Sequence, residues 1–160
     1  LRESQALVSR ILPNSGLMVN IDLGEANDIH PTTKKEVGRR LALLARANTY
    51  HENIEYSGPV FHSYKIVGNK IIITFTHAQG LHAIDGKPLQ GFAIAGPDHI
   101  FHYANAVITG TKIEVSSPYV TYPISVRYAW ADNPPCNLYN RDGLPACPFR
   151  TDDWRDINAQ

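Results

Sequence analysis

The sequence predicts an α+β chain in two parts: the C-terminal end of a layered α/β unit over residues 1–55, then an antiparallel β-sandwich over residues 56–160. Three observations predict it. Residues 1–55 carry two stretches with apolar positions at helical spacing, separated by one short apolar run. From residue 56 onward the pattern shifts to short runs that alternate between apolar and polar. Gly58-Pro59 punctuates the change, and turn-forming residues separate the later runs.

Along the first part, Leu7, Val8, Ile11 and Leu12 repeat at helical spacing, so residues 1–13 read as a helix that Pro13-Asn14-Ser15-Gly16 ends. The run Leu-Met-Val-Asn-Ile-Asp-Leu at 17–23 reads as a buried strand, and 24–31 as a polar loop. A second helix starts at Thr33. Glu36 stands three residues later, the capping-box spacing, and Val37, Leu41 and Leu44 mark one apolar face as far as about Ala47. One strand and two helices are too few to stand alone as a layered sheet, so this part reads as truncated at its N-terminus. The opening Leu1-Arg2-Glu3-Ser4 reads as an internal cut.

In the second part, residues 70–76 place Ile71, Ile73 and Phe75 on one face. Residues 91–95 and 101–108 are further strand candidates. Residues 111–115 point Ile113 and Val115 inward and Lys112 and Glu114 outward. Residues 123–130 put Ile124, Val126, Tyr128 and Trp130 on one face. Gly68-Asn69, Asp85-Gly86 and Gly110 supply turns. From Ala131 the chain is a tail rich in Pro, Asn and Asp, without periodicity.

Composition narrows the function classes. Of the 160 residues 43% are hydrophobic and 19% charged, an ordinary globular balance. Fifteen basic and fifteen acidic residues cancel, so the chain lacks the basic footprint that nucleic acid or an anionic membrane surface selects. Apolar runs fall far short of the roughly 20 residues of a membrane span. The two cysteines, Cys136 and Cys147, lack a CxxC spacing and do not suggest structural zinc; two free thiols are the plainer reading, and a disulfide closing a loop of about ten residues is geometrically possible.

The chemistry concentrates in Asp22-Leu23-Gly24-Glu25-Ala26-Asn27-Asp28-Ile29-His30-Pro31. It lies between an apolar run and a helix start, where open α/β sheets place ligands. A histidine beside a carboxylate can act as general base, the carboxylate fixing its tautomer and stabilising the imidazolium. The alternative is a polar loop whose Asp28 and His30 decorate a helix start. No serine lies in a Gly-x-Ser-x-Gly elbow or a Gly-Asp-Ser block, and Ser57 reads as a turn residue. His51, His62, His77, His82, His99 and His102 read as surface or turn histidines, none in an HExxH pattern. Tyr128, Trp130, Tyr139 and Trp154 offer a sugar-stacking surface as one reading, with core packing of Tyr128 and Trp130 as the other.

Asp28-Ile29-His30-Pro31 followed by Lys34-Lys35-Glu36-Val37-Gly38-Arg39-Arg40-Leu41-Ala42-Leu43 resembles the last catalytic block of the sialate O-acetylesterases, serine esterases of the SGNH hydrolase superfamily. Ser57-Gly58-Pro59 looks like that family's link into its C-terminal sandwich. Val126-Arg127-Tyr128-Ala129-Trp130, Asn137-Leu138-Tyr139-Asn140, Gly143-Leu144-Pro145-Ala146 and Pro148-Phe149-Arg150-Thr151-Asp152 resemble its closing signature. The resemblance runs in order through nearly the whole chain.

The resemblance implies removal of O-acetyl groups from sialic acid, or a related acetylated sugar, through an acyl-enzyme. It implies no metal or organic cofactor. His30 matches the family histidine. The superfamily often has Asp three residues before it, where this chain has Asn27. Asp28 is therefore the first choice for the orienting carboxylate, Asp22 the second, and a histidine held by a backbone carbonyl the third. The family serine lies in a Gly-Gln-Ser-Asn block, absent here, so the resemblance puts the nucleophile on an upstream hydrolase polypeptide and implies that the chain alone is inactive. Without that partner the apolar helix faces are expected to self-associate. Relatives acting on host glycans are exported or lysosomal, which is the expectation for localisation. The competing readings are a non-catalytic carbohydrate-binding module and a structural sandwich bracing the hydrolase.

Overall fold

The computed structural model of the chain describes residues 1–154. Two helices come first, α1 (Arg2–Ile11) and α2 (Lys34–Asn48). Ten strands follow: β1 (Val60–Val67), β2 (Lys70–Thr76), β3 (His82–Ala83), β4 (Phe92–Ala95), β5 (Phe101–Tyr103), β6 (Asn105–Thr109), β7 (Lys112–Ser116), β8 (Ser125–Tyr128), β9 (Leu138–Tyr139) and β10 (Phe149–Arg150). They form one four-stranded sheet in the order β1-β2-β7-β6, another in the order β10-β8-β4-β5, and a small β3-β9 pair. Every ladder is antiparallel. The architecture is α+β.

The core follows from the alternation. Ile71 and Ile73 of β2 and Ile113 and Val115 of β7 are fully buried, and Ile73 pairs directly with Ile113. The other sheet answers with Phe92, Ile94, Val126 and Tyr128, and all eight belong to one apolar cluster. At roughly 25 cal/mol per Å² of apolar area, these inward faces dominate the stability of the sheets. Gly68, at φ +58, takes the left-handed turn between β1 and β2 that other residues adopt reluctantly.

Residues 101–108 do not form one strand. β5 pairs with β4 in one sheet, β6 pairs with β7 in the other, and the chain passes between them at Ala104. At 123–130 the expected face is interrupted at both ends. Ile124 remains 37% exposed, and Ala129 at φ +51 leaves the extended region, which ends the alternation before Trp130.

The tail is the larger correction. It holds β9 and β10, and Asn137, Leu138, Tyr139, Asn140, Leu144, Ala146, Cys147 and Phe149 are buried. Its strands are two residues long, too short to display a period. Non-repeating bonds hold it, such as Cys147 N–H to the Pro59 carbonyl at 2.9 Å. Both cysteines are free thiols, and burial pushes both up from the ordinary thiol range.

In the first part, the expected strand at 17–23 joins no ladder among the described residues. Residues 17–20 run without regular structure into a turn closed by Leu23 N–H on the Asn20 carbonyl at 3.1 Å. A strand is defined by a neighbour, and among the described residues no strand pairs with it. α1 buries only Ala6, leaving Leu7, Val8 and Ile11 exposed, as is Leu12 at its C-terminal cap. It is tied to the later chain by Arg2, whose two terminal nitrogens donate to the Ala131 and Asp132 carbonyls at 2.6 Å, and by Glu3, paired with Arg150 at 2.8 Å. Among the described residues no helix is long and apolar enough to cross a membrane.

Candidate functional site

The segment from Asp22 to Thr33 forms a loop with a fixed neck and an exposed tip. Thr33 caps α2 by position only. Its Oγ1 makes no cap bond and donates instead to the Leu23 carbonyl at 2.7 Å, closing the neck. Glu36 does not complete the expected capping box either, because its carboxylate accepts from Arg39 and Arg40. Short polar side chains at helix starts choose between such local partners. Inside the loop, Asp28 N–H donates to the Glu25 carbonyl at 3.3 Å, and Glu25 Oε1 accepts from the backbone and hydroxyl of Thr32 at 3.2 Å.

The three predicted site residues are placed as follows. Asp28 Oδ1 accepts the backbone N–H of His30 at 2.7 Å, a turn in which the carboxylate braces the main chain around the histidine. His30 is exposed on the tip, beside Ile29 at 89% exposure. Asp22 lies at the neck and faces inward. Its Oδ1 and Oδ2 accept Arg40 Nη1 and Nη2, each at 2.7 Å, a bidentate pair of the strong, geometrically specific kind. Tyr139 of β9 also donates its hydroxyl to Asp22 Oδ2 at 2.8 Å. The structure thus brings Asp28 to the His30 backbone and commits Asp22 to Arg40 and Tyr139.

Arg40 is the centre of this cluster and is only 4% exposed. Beyond Asp22 it donates to Glu36 at 2.8 Å and to the Val19 carbonyl at 2.9 Å, so its guanidinium is well satisfied. Burial alone would raise the Asp22 carboxyl, but bonds from Arg40 and Tyr139 outweigh it and hold the group below its ordinary value. The Arg39 hydrogen bond, with help from Arg40, draws Glu36 down to about 2. Burial and the neighbouring Asp22 push the Tyr139 phenol upward, so it stays a donor. Sequence reading missed Arg40 and this use of Tyr139. The spacing of Glu36 to Arg40 was the one available signal, and nothing local links Asp22 to a residue 117 positions away.

The four aromatic candidates form no common platform. Tyr128 is 1% exposed and packs on Phe92 and Phe149, with its oxygen accepting Leu138 N–H at 3.2 Å. Trp130 lies beneath the Arg127 and Arg150 guanidiniums, Trp154 stacks on His99, and Tyr139 is buried. His77 pairs with Glu55 through Nδ1 at 2.6 Å, and His102 stacks on Tyr119. Among the described residues no group of three or more His, Cys, Asp or Glu could hold a metal ion. A shallow surface groove runs between residues 17–19 and 56–58, with Arg40 in its wall; Asp28 and His30 do not line it.

Comparison with known proteins now bears on this arrangement. No family model matches the chain. It is similar to human sialate O-acetylesterase, 30% identical over 154 residues that cover 86% of this chain and 29% of that protein. This chain is a sialate O-acetylesterase-like C-terminal portion. The rat sialate O-acetylesterase is likewise 30% identical over 153 residues, covering 86% of this chain and 28% of its own length. The chain therefore spans under a third of the length of these relatives. A crystal structure of a novel carbohydrate acetylesterase from Xanthomonas citri superposes with a TM-score of 0.91 at 47% identity, covering 95% of this chain and 35% of that one. The likeness to that carbohydrate acetylesterase structure thus covers nearly the whole chain.

Proposed function

We propose that this chain contributes the histidine side of a carbohydrate acetylesterase site, with His30 as general base and the nucleophilic serine supplied by polypeptide outside these 160 residues. The observation that carries the reading is the likeness to a carbohydrate acetylesterase along 95% of the chain. Residues 1–55 are then the end of an SGNH hydrolase domain, and the two sheets of residues 56–160 a β-sandwich packed against it. Asp28, through the His30 backbone, holds the loop in shape, and its carboxylate is the first candidate to orient the imidazole. Asp22 is the second.

In this reading the serine oxygen attacks the acetyl carbonyl while His30 takes its proton. The proton passes to the departing sugar oxygen; water, deprotonated by the same histidine, then attacks the acyl-enzyme, and the histidine returns that proton to the serine oxygen as acetate leaves. The favoured substrate is an O-acetylated sialic acid, with other acetylated sugars next. The exposed tip of the loop and the exposed apolar residues of α1 supply a surface for the serine-bearing polypeptide, and for self-association without it.

The test is hydrolysis of p-nitrophenyl acetate by the serine-bearing polypeptide alone, and by the chain alone and the two assembled, the latter two each with wild-type His30 and His30→Ala. Activity confined to the assembly and lost with His30→Ala is the expected result. Activity of an assembly that tolerates His30→Ala would sink the reading.

A further inference from the structure

We infer that Tyr139 is a positioning residue for the esterase: its hydroxyl, through Asp22 and Arg40, fixes the neck of the loop that presents His30, so the antiparallel sheets set the geometry of the base. The inference rests on the reading of His30 as that base.

Three contacts carry it. Asp22 begins the loop, and Arg40 stands on the helix that follows it, so the bidentate Asp22–Arg40 pair ties the start of the loop to the helix at its end. Thr33 Oγ1 on the Leu23 carbonyl closes the same neck one step outward. These contacts fix the loop's shape but not its place, because all belong to the first part of the chain. Tyr139, together with Ile21 packed against the apolar cluster, ties the neck to the sheets. Tyr139 belongs to β9, paired with β3, and next to it Leu138 is fully buried in the apolar cluster. The phenol therefore stands on a rigid base when it donates to Asp22 Oδ2 at 2.8 Å.

The oxygen it meets is the one already bound to Arg40 Nη2. Both donors fix the plane of one carboxylate, and that carboxylate starts the loop. Tyr139 is itself buried and the Asp22 side chain is only 17% exposed, so water has little access to this bond. Displacement of a base by about 1 Å is enough to lower a rate by roughly a hundredfold, so a single anchoring bond at the neck has leverage on the tip.

The experiment uses the assembled esterase and three variants. Tyr139→Phe keeps the ring and removes the hydroxyl. Asp22→Asn weakens the same junction from the other side. Tyr128→Phe removes a hydroxyl buried deeper still, one that accepts from the Leu138 backbone and does not touch the loop. For Tyr139→Phe we expect kcat to fall about tenfold with KM unchanged, as for the loss of one hydrogen bond to a charged group. Amide exchange in residues 23–33 should rise by a similar factor. Tyr128→Phe should leave both unchanged, and the kcat losses of Tyr139→Phe and Asp22→Asn should be non-additive in the double variant.

Unchanged kcat and unchanged exchange in Tyr139→Phe would overturn the inference, as would fully additive losses. A kcat loss accompanied by equal loss in Tyr128→Phe would also overturn it, since that marks general destabilisation. The exchange measurement on the chain alone needs no activity. Failure of the His30 reading therefore appears as wild-type activity in His30→Ala, and failure of the anchoring as undisturbed amides at 23–33.

Discussion

The side-chain amide of Asn140 donates to the backbone carbonyl of Ser57 at 2.9 Å, tying the tail to the junction between the helical part and the sheets. The same nitrogen reaches the His77 carbonyl at 3.2 Å, while Oδ1 accepts from Asp142 and Leu144 N–H. Asn140 is 1% exposed, and one amide thus satisfies four backbone groups in three segments. Asn140→Ala should cost about 3 kcal/mol, because buried donors and acceptors lose their partner with little access to water. Asn140→Asp should cost more at neutral pH, since it turns a carboxylate toward two carbonyls, and should recover part of the loss at acid pH. Urea unfolding of both variants checks the order.

Gly58 is held by closeness of backbone to backbone. A Cβ there would stand 1.9 Å from the Pro145 carbonyl oxygen, and its φ is not left-handed. Gly58→Ala should therefore destabilise at or above the upper end of the roughly 1–3 kcal/mol of overpacking. Gly110→Ala, where nothing lies within 4 Å but φ is +64, tests strain alone and should cost only about 1 kcal/mol. Thermal midpoints of the two variants should separate accordingly.

The Asp22–Arg40–Glu36 cluster makes stability acid-sensitive. Both carboxyls are depressed in the fold, Glu36 from 4.5 to about 2 and Asp22 below 3.8. A depressed carboxyl stabilises above its unfolded value, and the contribution fades as pH falls through the folded one. Stability from these groups should hold down to pH 4.5 and decline toward about 2. Urea midpoints measured across that range should fall less steeply in Arg40→Met, which removes the cation paired with Asp22 and one of the two paired with Glu36.

The core makes the simplest comparison. Ile113 is fully buried, and Ile113→Ala should cost about 2–5 kcal/mol through lost transfer energy and the cavity left behind. Val107, two residues from the end of the partner strand β6 and 61% exposed, should accept alanine within about 0.5 kcal/mol. Equal losses at the two positions would contradict the inward–outward assignment of the sheets.

What could be read in advance divides along physical lines. β2 and β7 were visible because Ile71, Ile73, Ile113 and Val115 alternate over enough residues to show a period, and that period is also what buries them. β9 and β10 were invisible for the opposite reason: Leu138 and Phe149 are held by pairings from distant segments, in strands too short for a pattern. The apolar run at 17–23 misled because apolarity speaks of burial and a strand requires a neighbour. The loop conformation of the segment carrying Asp28 and His30 could be read from its residue types. Its anchoring could not, since Asp22 meets Tyr139 only after the sheets have formed.

The passage of the chain at Ala104 has a consequence for how the sheets come apart. β5 and β6 lie in different sheets and are separated by that single residue, whose N–H is still bonded to the Phe92 carbonyl at 3.1 Å. No slack exists between them, so peeling β6 from β7 drags on β5, and freeing β5 from β4 pulls on β6. The two sheets should therefore melt in one calorimetric step, with matched protection of the Ile94 and Ile113 amides, and should offer no half-open state for a protease to cut.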